Sequence, residues 1–377
     1  MKNIYWLIQQ LESIGGTEMV STQIMNGLSS SKKINLVCMG ERVENSPYQI
    51  SDNVNIIYLN IKKKYIRSDV YFQDLLNRHK YLKLIIDLFA VAFFWLFGRF
   101  HFRKVIKRMT TKDDLIIASS LDNYALSPRG RKVIFHFHFN AQFFFSLTSR
   151  LGFLICRKPD FWVFLTKTTL DQVINRKPSL KNKADYVYNP TRYSRNLDTT
   201  YKNNNLIFIG RYVSQKRPLL AIEMANELNK LNPNFTFNFF GDGPLKNKMI
   251  ELVNKYNLND KVLINNSNPK IINEIHKSDL LVMTSEYEGF GLVILESNSQ
   301  SVPTVSLYWG DATNEIIHDD VNGYIINNDD IVKQAQTINE LLTNKEKLAT
   351  LKASSYEYAA NFTIEKIIDK WLTIDNK

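Results

Sequence analysis

Cysteine is scarce in this chain of 377 residues, where Cys38 and Cys156 are the only two. Neither belongs to a Cys-x-x-Cys pair, and each lies in an apolar segment. A structural zinc site needs four clustered ligands, so none is expected. Both read as reduced core thiols, the state favoured in a cytosolic protein. Also missing is an apolar run of about 20 residues, the length needed to cross a bilayer. The opening MKNIYWLIQQLESIGG has one lysine before a short apolar stretch that Gln9, Gln10 and Glu12 close off. It reads as a first strand and not as a signal peptide. There is no G-x-x-x-x-G-K-[ST] loop, no full dinucleotide fingerprint, no internal repeat and no low-complexity tract.

Hydrophobic residues make up 44% of the chain and aromatics 12%, a globular composition with length for about two domains. The net charge of +11 is unevenly spread. Residues 1–200 hold 30 Lys+Arg against 15 Asp+Glu, and the remainder 18 against 22. The imbalance predicts an anionic partner for the first half alone: nucleic acid, an anionic membrane or an anionic polymer. One segment bears on that choice. Residues 84–98 read LIIDLFAVAFFWLFG, with Lys80 and Lys83 before them and Arg99, Arg103 and Lys104 after. Two readings stand: a buried core helix, or a helix lying in a membrane interface with its basic flanks on the headgroups.

Apolar runs of strand length alternate with helical patterns throughout. Candidate strands are Ile4–Ile8, Ile34–Gly40, Asn55–Ile61, Leu115–Ser119, Val133–Phe139, Phe161–Thr166 and Ala184–Tyr188. They resume at Leu206–Gly210, Phe235–Phe240, Val262–Asn265, Leu280–Thr284, Thr304–Leu307 and Gly323–Ile326. Near-continuous apolar runs suit strands covered on both faces, and strand–helix alternation suits parallel sheets. Val20, Ile24 and Leu28, with Met25 beside them, predict the helix after the first strand. Ile331–Leu342 and Ile364–Leu372 also read as helices. The polar stretch Thr191–Asn205 separates the two strand sets and coincides with the change in charge. The expected fold is α/β: two doubly wound, Rossmann-like parallel-sheet domains facing across a cleft, with ligands where strand carboxyl ends meet helix amino ends.

The most informative stretch is SEYEGFGLVILESNSQ, residues 285–300, after the apolar strand LLVMT. Gly289 and Gly291 flank Phe290, and a helix opens at Leu292. Glycines there permit close backbone approach, and a helix amino end favours phosphate. Glu288 and Glu296 are separated by seven residues. Eight helical steps bring them about 80° apart, and carboxylates pair well with vicinal sugar hydroxyls. Two unrelated glutamates, one capping and one exposed, would give the same spacing.

IGRYVSQK, residues 209–216, follows another strand, and its Arg211 and Lys216 suit a diphosphate. Solvation is the commoner fate of such cations. Gly15-Gly16-Thr17-Glu18, after the first strand, fits a tight turn or close approach to a phosphate or sugar. Gly241-Asp242-Gly243-Pro244 reads only as a turn. In VIFHFHFN the alternation puts His136 and His138 on one face of a strand. Either structural packing or a hydrogen bond to a sugar hydroxyl accounts for them. No further metal ligand lies nearby in sequence.

In this order the motifs resemble those of the retaining glycosyltransferases of family 4, which have the GT-B fold. The resemblance is strongest over residues 204–330: IFIGRYVSQKRP, FNFFGDGPLKNKM, SDLLVMTSEYEGFGLVILES, VPTVS and NEIIHDDVNGYII. It implies domains at 1–190, binding acceptor, and at 204–361, binding a nucleotide-sugar donor, with helix 362–377 packing back on the first. It implies a nucleotide-diphosphate-sugar, usually UDP-linked, as co-substrate, and no metal. Arg211 and Lys216 would hold the diphosphate. Glu288 with the backbone of Gly289, Phe290 and Gly291 would hold the sugar, and Glu296 the ribose. Gly16 would approach the diphosphate, and His136 (or His138) would stand near the donor sugar. Glu288, His136, Lys216 and Arg211 are thus the expected catalytic set. Departures are Ser297-Asn298-Ser299, where the family often has Ala-Met-Ala, and Asn266, where it often has glycine.

The expected activity is transfer of the sugar, with retention, to a hydroxyl of a membrane-associated or cell-surface glycan acceptor. The expected place is the cytoplasm, or the inner face of the cell membrane as a peripheral protein. The rival readings are a nucleotide-sugar epimerase of the same shape, a sugar-binding protein without turnover, and a nucleic-acid binder. No recognisable nucleic-acid module supports the last.

Overall fold

The computed structural model describes residues 3–12, 15–43, 46–62, 79–147, 149–150 and 158–375. Cys156 lies outside them, and Cys38 is a buried free thiol. The chain divides into two compact units, Met1–Tyr188 with Ile367–Lys377, and Asn189–Lys366.

All thirteen candidate strands are present, in two all-parallel sheets. The first holds β1 (Ile4–Ile8), β2 (Ile34–Cys38), β3 (Val54–Tyr58), β4 (Leu115–Ala118), β5 (Lys132–Phe137), β6 (Phe161–Phe164) and β7 (Ala184–Tyr186) in the order β3-β2-β1-β4-β5-β6-β7. The second holds β8 (Asn205–Ile209), β9 (Thr236–Phe240), β10 (Val262–Asn265), β11 (Leu280–Met283), β12 (Thr304–Leu307) and β13 (Gly323–Ile326) in the order β10-β9-β8-β11-β12-β13. Central strands such as IYWLI of β1 and LLVM of β11 are buried at every position, because helices cover both sheet faces. The edge strand β3 exposes Asn55 and Ile56.

Each sheet reverses its winding once. In the second, the chain runs outward through β8, β9 and β10, then returns to lay β11 beside β8, with Leu280 paired to Leu206 and Leu281 to Ile207. The loops after β8 and β11 therefore leave one switch point, the place where open parallel sheets bind ligands. In the first sheet the corresponding pair is β1 and β4. The Gly15–Gly16 turn follows β1 and opens the helix Gly16–Leu28, whose Val20, Ile24, Met25 and Leu28 are buried.

The polar stretch after Tyr188 is pinned to the second unit. The Thr191 N–H donates to the Phe362 carbonyl at 2.8 Å, Asn196 to Ser299 at 2.7 Å, and Lys202 to the Asp279 carboxylate at 2.8 Å. Asp279 also binds Lys352 at 2.7 Å, and both side chains are buried. The change of unit thus falls at Asn189, ahead of the polar composition, because carbonyls and the buried Asp279 carboxylate of the second unit satisfy that backbone. From Ile367 the closing helix Ile364–Asp375 belongs to the first unit. There Trp371 packs on Trp6, with ring centroids 5.3 Å apart, and Lys370 pairs with Asp185 at 3.3 Å.

The core reading of residues 84–98 is corrected. They fall in the helix Tyr81–Phe93 and the π-helical segment Phe94–Gly98, which runs on into the helix Arg99–Met109. Ile85, Ile86, Leu88, Phe89, Phe93 and Phe97 are exposed, and Phe94 is buried. No helix among the described residues is long and apolar enough to cross a membrane.

Candidate active site

Two loops at the β8/β11 switch point are stitched together by backbone and side chain. After β8 the chain turns at Gly210 and passes through the 3-10 turn Ser214–Lys216. It reaches Arg217, left-handed at φ 47°, just before Pro218 opens the helix Pro218–Leu231. The Glu286 N–H donates to the Gln215 carbonyl at 2.8 Å, and Gln215 Nε2 donates to the Tyr287 carbonyl at 2.6 Å. The buried Thr284 hydroxyl donates to the carbonyls of Arg217 at 2.9 Å and Lys216 at 3.1 Å. Arg217 Nε donates to the Thr284 carbonyl at 2.6 Å, and its fork grips Asp329 at 2.7 and 2.8 Å. That guanidinium holds the Asp329 carboxyl below its ordinary pKa. Arg217 is the cation that sequence reasoning missed: it ties the loops to each other and to Asp329, whereas its neighbour Lys216 pairs with Glu288.

Lys216 Nζ meets Glu288 Oε1 at 2.5 Å, with side chains 18% and 9% exposed. The two residues stand 72 positions apart. An oppositely charged pair that is half sealed from water can exchange partners with a ligand carrying both an anion and hydroxyls. Arg211, on the same loop, is exposed, and its guanidinium has no partner among the described residues. The following Tyr212 is buried, its phenol donating to the Asn265 carbonyl at 2.5 Å. The Gly-Asp-Gly stretch does more than turn the chain. A Cβ on Gly241 would stand 1.9 Å from the Gly210 carbonyl oxygen, so only glycine lets the β9 loop abut the β8 loop.

From Glu288 the chain runs through Gly289 and the buried Phe290 to Gly291, whose φ of 81° redirects it into the helix Leu292–Asn298. A Cβ there would also meet Ile294 Cδ1 at 2.8 Å. Trp309 packs against this turn and is buried. Glu296, on the helix, is buried, and burial raises its carboxyl pKa to about 7 although Arg192 pulls it back. Arg192, which precedes β8, carried no sequence signal for such a role.

Gly16, His136 and His138 belong to the first unit. The Gly15 N–H donates to the Tyr48 hydroxyl at 2.7 Å. His136 lies within β5 and is fully buried. Trp371 and Trp6 flank it, with ring centroids at 5.1 and 6.3 Å. His138, just beyond the strand and half-buried, shares a 3.1 Å hydrogen bond with His136 Nδ1, while His136 Nε2 is buried without a partner among the described residues. Burial pushes the His138 pKa down to about 3 and that of His136 well below its ordinary value, with His138 lowering the latter further. Both rings are neutral at pH 7. The less enclosed of the two, His138, is the one placed beyond the strand's end.

Residues 191–358 match the family model described as Glycosyl transferases group 1. The chain is 30% identical over 169 residues to poly(ribitol-phosphate) alpha-N-acetylglucosaminyltransferase of Staphylococcus aureus, covering 45% of this chain and 34% of that protein. It spans 34% to 52% of the length of three such curated relatives. A second match runs nearly end to end: 23% identity over 390 residues, 99% of this chain and 98% of the other. That protein is the Campylobacter jejuni enzyme GalNAc-alpha-(1->4)-GalNAc-alpha-(1->3)-diNAcBac-PP-undecaprenol alpha-1,4-N-acetyl-D-galactosaminyltransferase. Among solved structures, an S. aureus TarM variant with Fondaparinux, alpha-GlcNAc-glycerol and UDP superposes with a TM-score of 0.77 at 15% identity, covering 100% of both chains. The fold is GT-B. In this GT-B chain the E-x7-E pair, Arg211 and Lys216 all lie in the second unit, on the loop pair at its switch point and the helix that continues it.

Proposed function

We propose that this chain is a retaining glycosyltransferase that moves a sugar from a UDP-sugar to a hydroxyl of a membrane-associated or cell-surface glycopolymer. The observation that carries this reading is the Lys216–Glu288 pair bridging the two switch-point loops. On donor binding Lys216 turns to the diphosphate with Arg211, and Glu288 is released to accept hydroxyl hydrogens of the sugar beside the backbone of Gly289, Phe290 and Gly291. Glu296 takes the ribose hydroxyls. Gly16 and the His136–His138 pair are assigned to the donor by the family resemblance. The similarity to enzymes named for poly(ribitol-phosphate) and for an undecaprenol-linked glycan supports a polymer or lipid-linked acceptor.

In the transfer, the bond from the anomeric carbon to the diphosphate oxygen breaks and its electron pair leaves with the diphosphate. The acceptor oxygen bonds that carbon on the same face, and its proton passes to the departing oxygen. Lys216 and Arg211 stabilise the charge that grows there, a contribution of about 2–4 kcal/mol for one well-placed donor. No metal takes part in this scheme.

A panel of nucleotide sugars screened by thermal shift tests the reading. A donor at about 100 times its dissociation constant adds roughly 2.7 kcal/mol of stability. A selective rise in melting temperature with one UDP-sugar, followed by UDP release when an acceptor is added, is the expected result. No response to any nucleotide sugar would remove the proposal.

A further inference from the structure

The helix Tyr81–Phe93 is built inside out. Within it Asp87 is buried, while Tyr81, Leu82, Ile85, Ile86, Leu88, Phe89 and Phe93 are exposed, Leu82 and Phe89 by 74% and 73%. Phe97 and Phe100 carry the exposed apolar surface onward. Leu82, Ile85, Ile86, Phe89 and Phe93 recur at steps of three and four, so they form one stripe. From Leu82 to Phe100 it extends about 27 Å at helical rise. The far end is held firmly: Phe94 and Ile106 enter the first unit's core, Arg103 Nε donates to the Ala125 carbonyl at 2.6 Å, and the Tyr5 hydroxyl donates to the Met109 carbonyl at 2.7 Å. The stripe thus runs on from a stretch anchored in the first unit, and soluble chains rarely expose so long an apolar band without a partner.

Charge says which partner. Lys80, Lys83, Lys104, Lys107 and Arg108 are exposed along the same helical stretch, and its one acid, Asp87, is turned inward. A second copy of the chain would bring the same cations against these. An apolar stripe bordered by cations, on a helix too short in apolar length to cross, matches the headgroup boundary of an anionic bilayer.

We infer that the helical stretch from Tyr81 to Met109 is an in-plane docking element for anionic membranes. Its aromatic stripe lies below the headgroups and its lysines sit among the lipid phosphates. This deepens the reading of a membrane-associated acceptor. It needs no sugar nucleotide, so its failure would leave the donor-site assignment standing.

Co-sedimentation of the full chain with two vesicle types tests it: phosphatidylcholine alone, and phosphatidylcholine with about 30% phosphatidylglycerol. The wild type should partition onto the anionic vesicles at least about tenfold more strongly, and lose most of that preference in about 0.5 M salt. The variant Phe89→Ser/Phe93→Ser/Phe97→Ser should lose at least about tenfold in partitioning, with its melting temperature and UDP binding unchanged. Should that variant misfold, Lys83→Glu/Lys104→Glu/Lys107→Glu decides, because it should abolish the preference for phosphatidylglycerol. The inference is overturned if the wild type ignores both vesicles, if the folded aromatic variant partitions like wild type, if the charge variant keeps the anionic preference, or if the wild type is a dimer that the aromatic variant turns into a monomer without any lipid binding.

Discussion

Replacing Lys216 by methionine separates fold from chemistry at the proposed donor site. The lysine and Glu288 are 18% and 9% exposed, so the pair sits between surface pairs, worth about 0–1 kcal/mol, and buried ones, where losing one partner costs about 3–5 kcal/mol. Lys216→Met should therefore destabilise the chain by about 2 kcal/mol, most of it the cost of leaving Glu288 without its cation. For a unit of this size that lowers the melting temperature by about 4–8 °C. Glu288→Gln in the same chain removes the stranded charge, and the double variant should recover most of the lost stability. Transfer behaves differently. Lost stabilisation of the leaving diphosphate, about 2–4 kcal/mol, lowers turnover roughly 30- to 1,000-fold, and the double variant recovers none of it. Urea unfolding and a coupled assay of UDP release measure the two quantities side by side. Turnover within about threefold of wild type in folded Lys216→Met, or rescue of transfer together with stability in the double variant, would refute the reasoning.

Three further outcomes follow from the same geometry. Glu296 titrates near pH 7 because it is buried. Its folded pKa lies above the unfolded one, so its contribution to stability is fully present below about pH 4.5 and is lost as pH rises through 7. Glu296→Gln should be about 1–3 kcal/mol more stable relative to wild type at pH 8 than at pH 5. In calorimetric titrations wild type should bind UDP more tightly at pH 8 than at pH 6, and a Glu296→Gln chain that keeps this dependence would contradict the ribose assignment. His136 and His138 have folded pKa values below the unfolded 6.5. Acid therefore favours the unfolded chain, and stability should fall by about 1.4 kcal/mol per pH unit for each ring as pH drops below 6.5. His136→Phe should flatten that slope in urea midpoints measured between pH 7 and 5.5, and an unchanged slope would sink the explanation. Gly291→Ala forces a side chain into φ 81° and against Ile294, so it should cost about 1–2 kcal/mol of stability and more in donor affinity than in melting temperature. An alanine chain with wild-type donor affinity would show that the turn does not shape the site.

Much of this molecule is legible in one dimension. β1 and β11 announce themselves because strands covered on both faces are apolar throughout, and the alternation of strands with helices dictates parallel sheets. The loops carrying Arg211, Lys216 and Glu288, and the helix carrying Glu296, are legible because glycine, charge and a preceding strand coincide. Partnership is not. Lys216 meets Glu288 because β8 and β11 are neighbours, and no local spacing reveals a contact across 72 positions. Arg217 looks as basic as Lys216, yet its left-handed backbone turns it toward Asp329. Alternation puts His136 and His138 on one face, but Trp371, from the far end of the chain, decides which of them is sealed. Residues 84–98 show the limit most plainly. Their composition suits a core helix and an interfacial helix equally, and what removes the core reading is that Asp87 is turned in while Phe89 is turned out.

The most direct test of the central claim is a structure of the chain with UDP bound. The account predicts that Lys216 Nζ leaves Glu288 for a phosphate oxygen, that a ribose hydroxyl lies within hydrogen-bond distance of Glu296, and that the Glu288 carboxylate faces the space beyond the terminal phosphate. A nucleotide seated elsewhere, with the Lys216–Glu288 contact still closed, would contradict it.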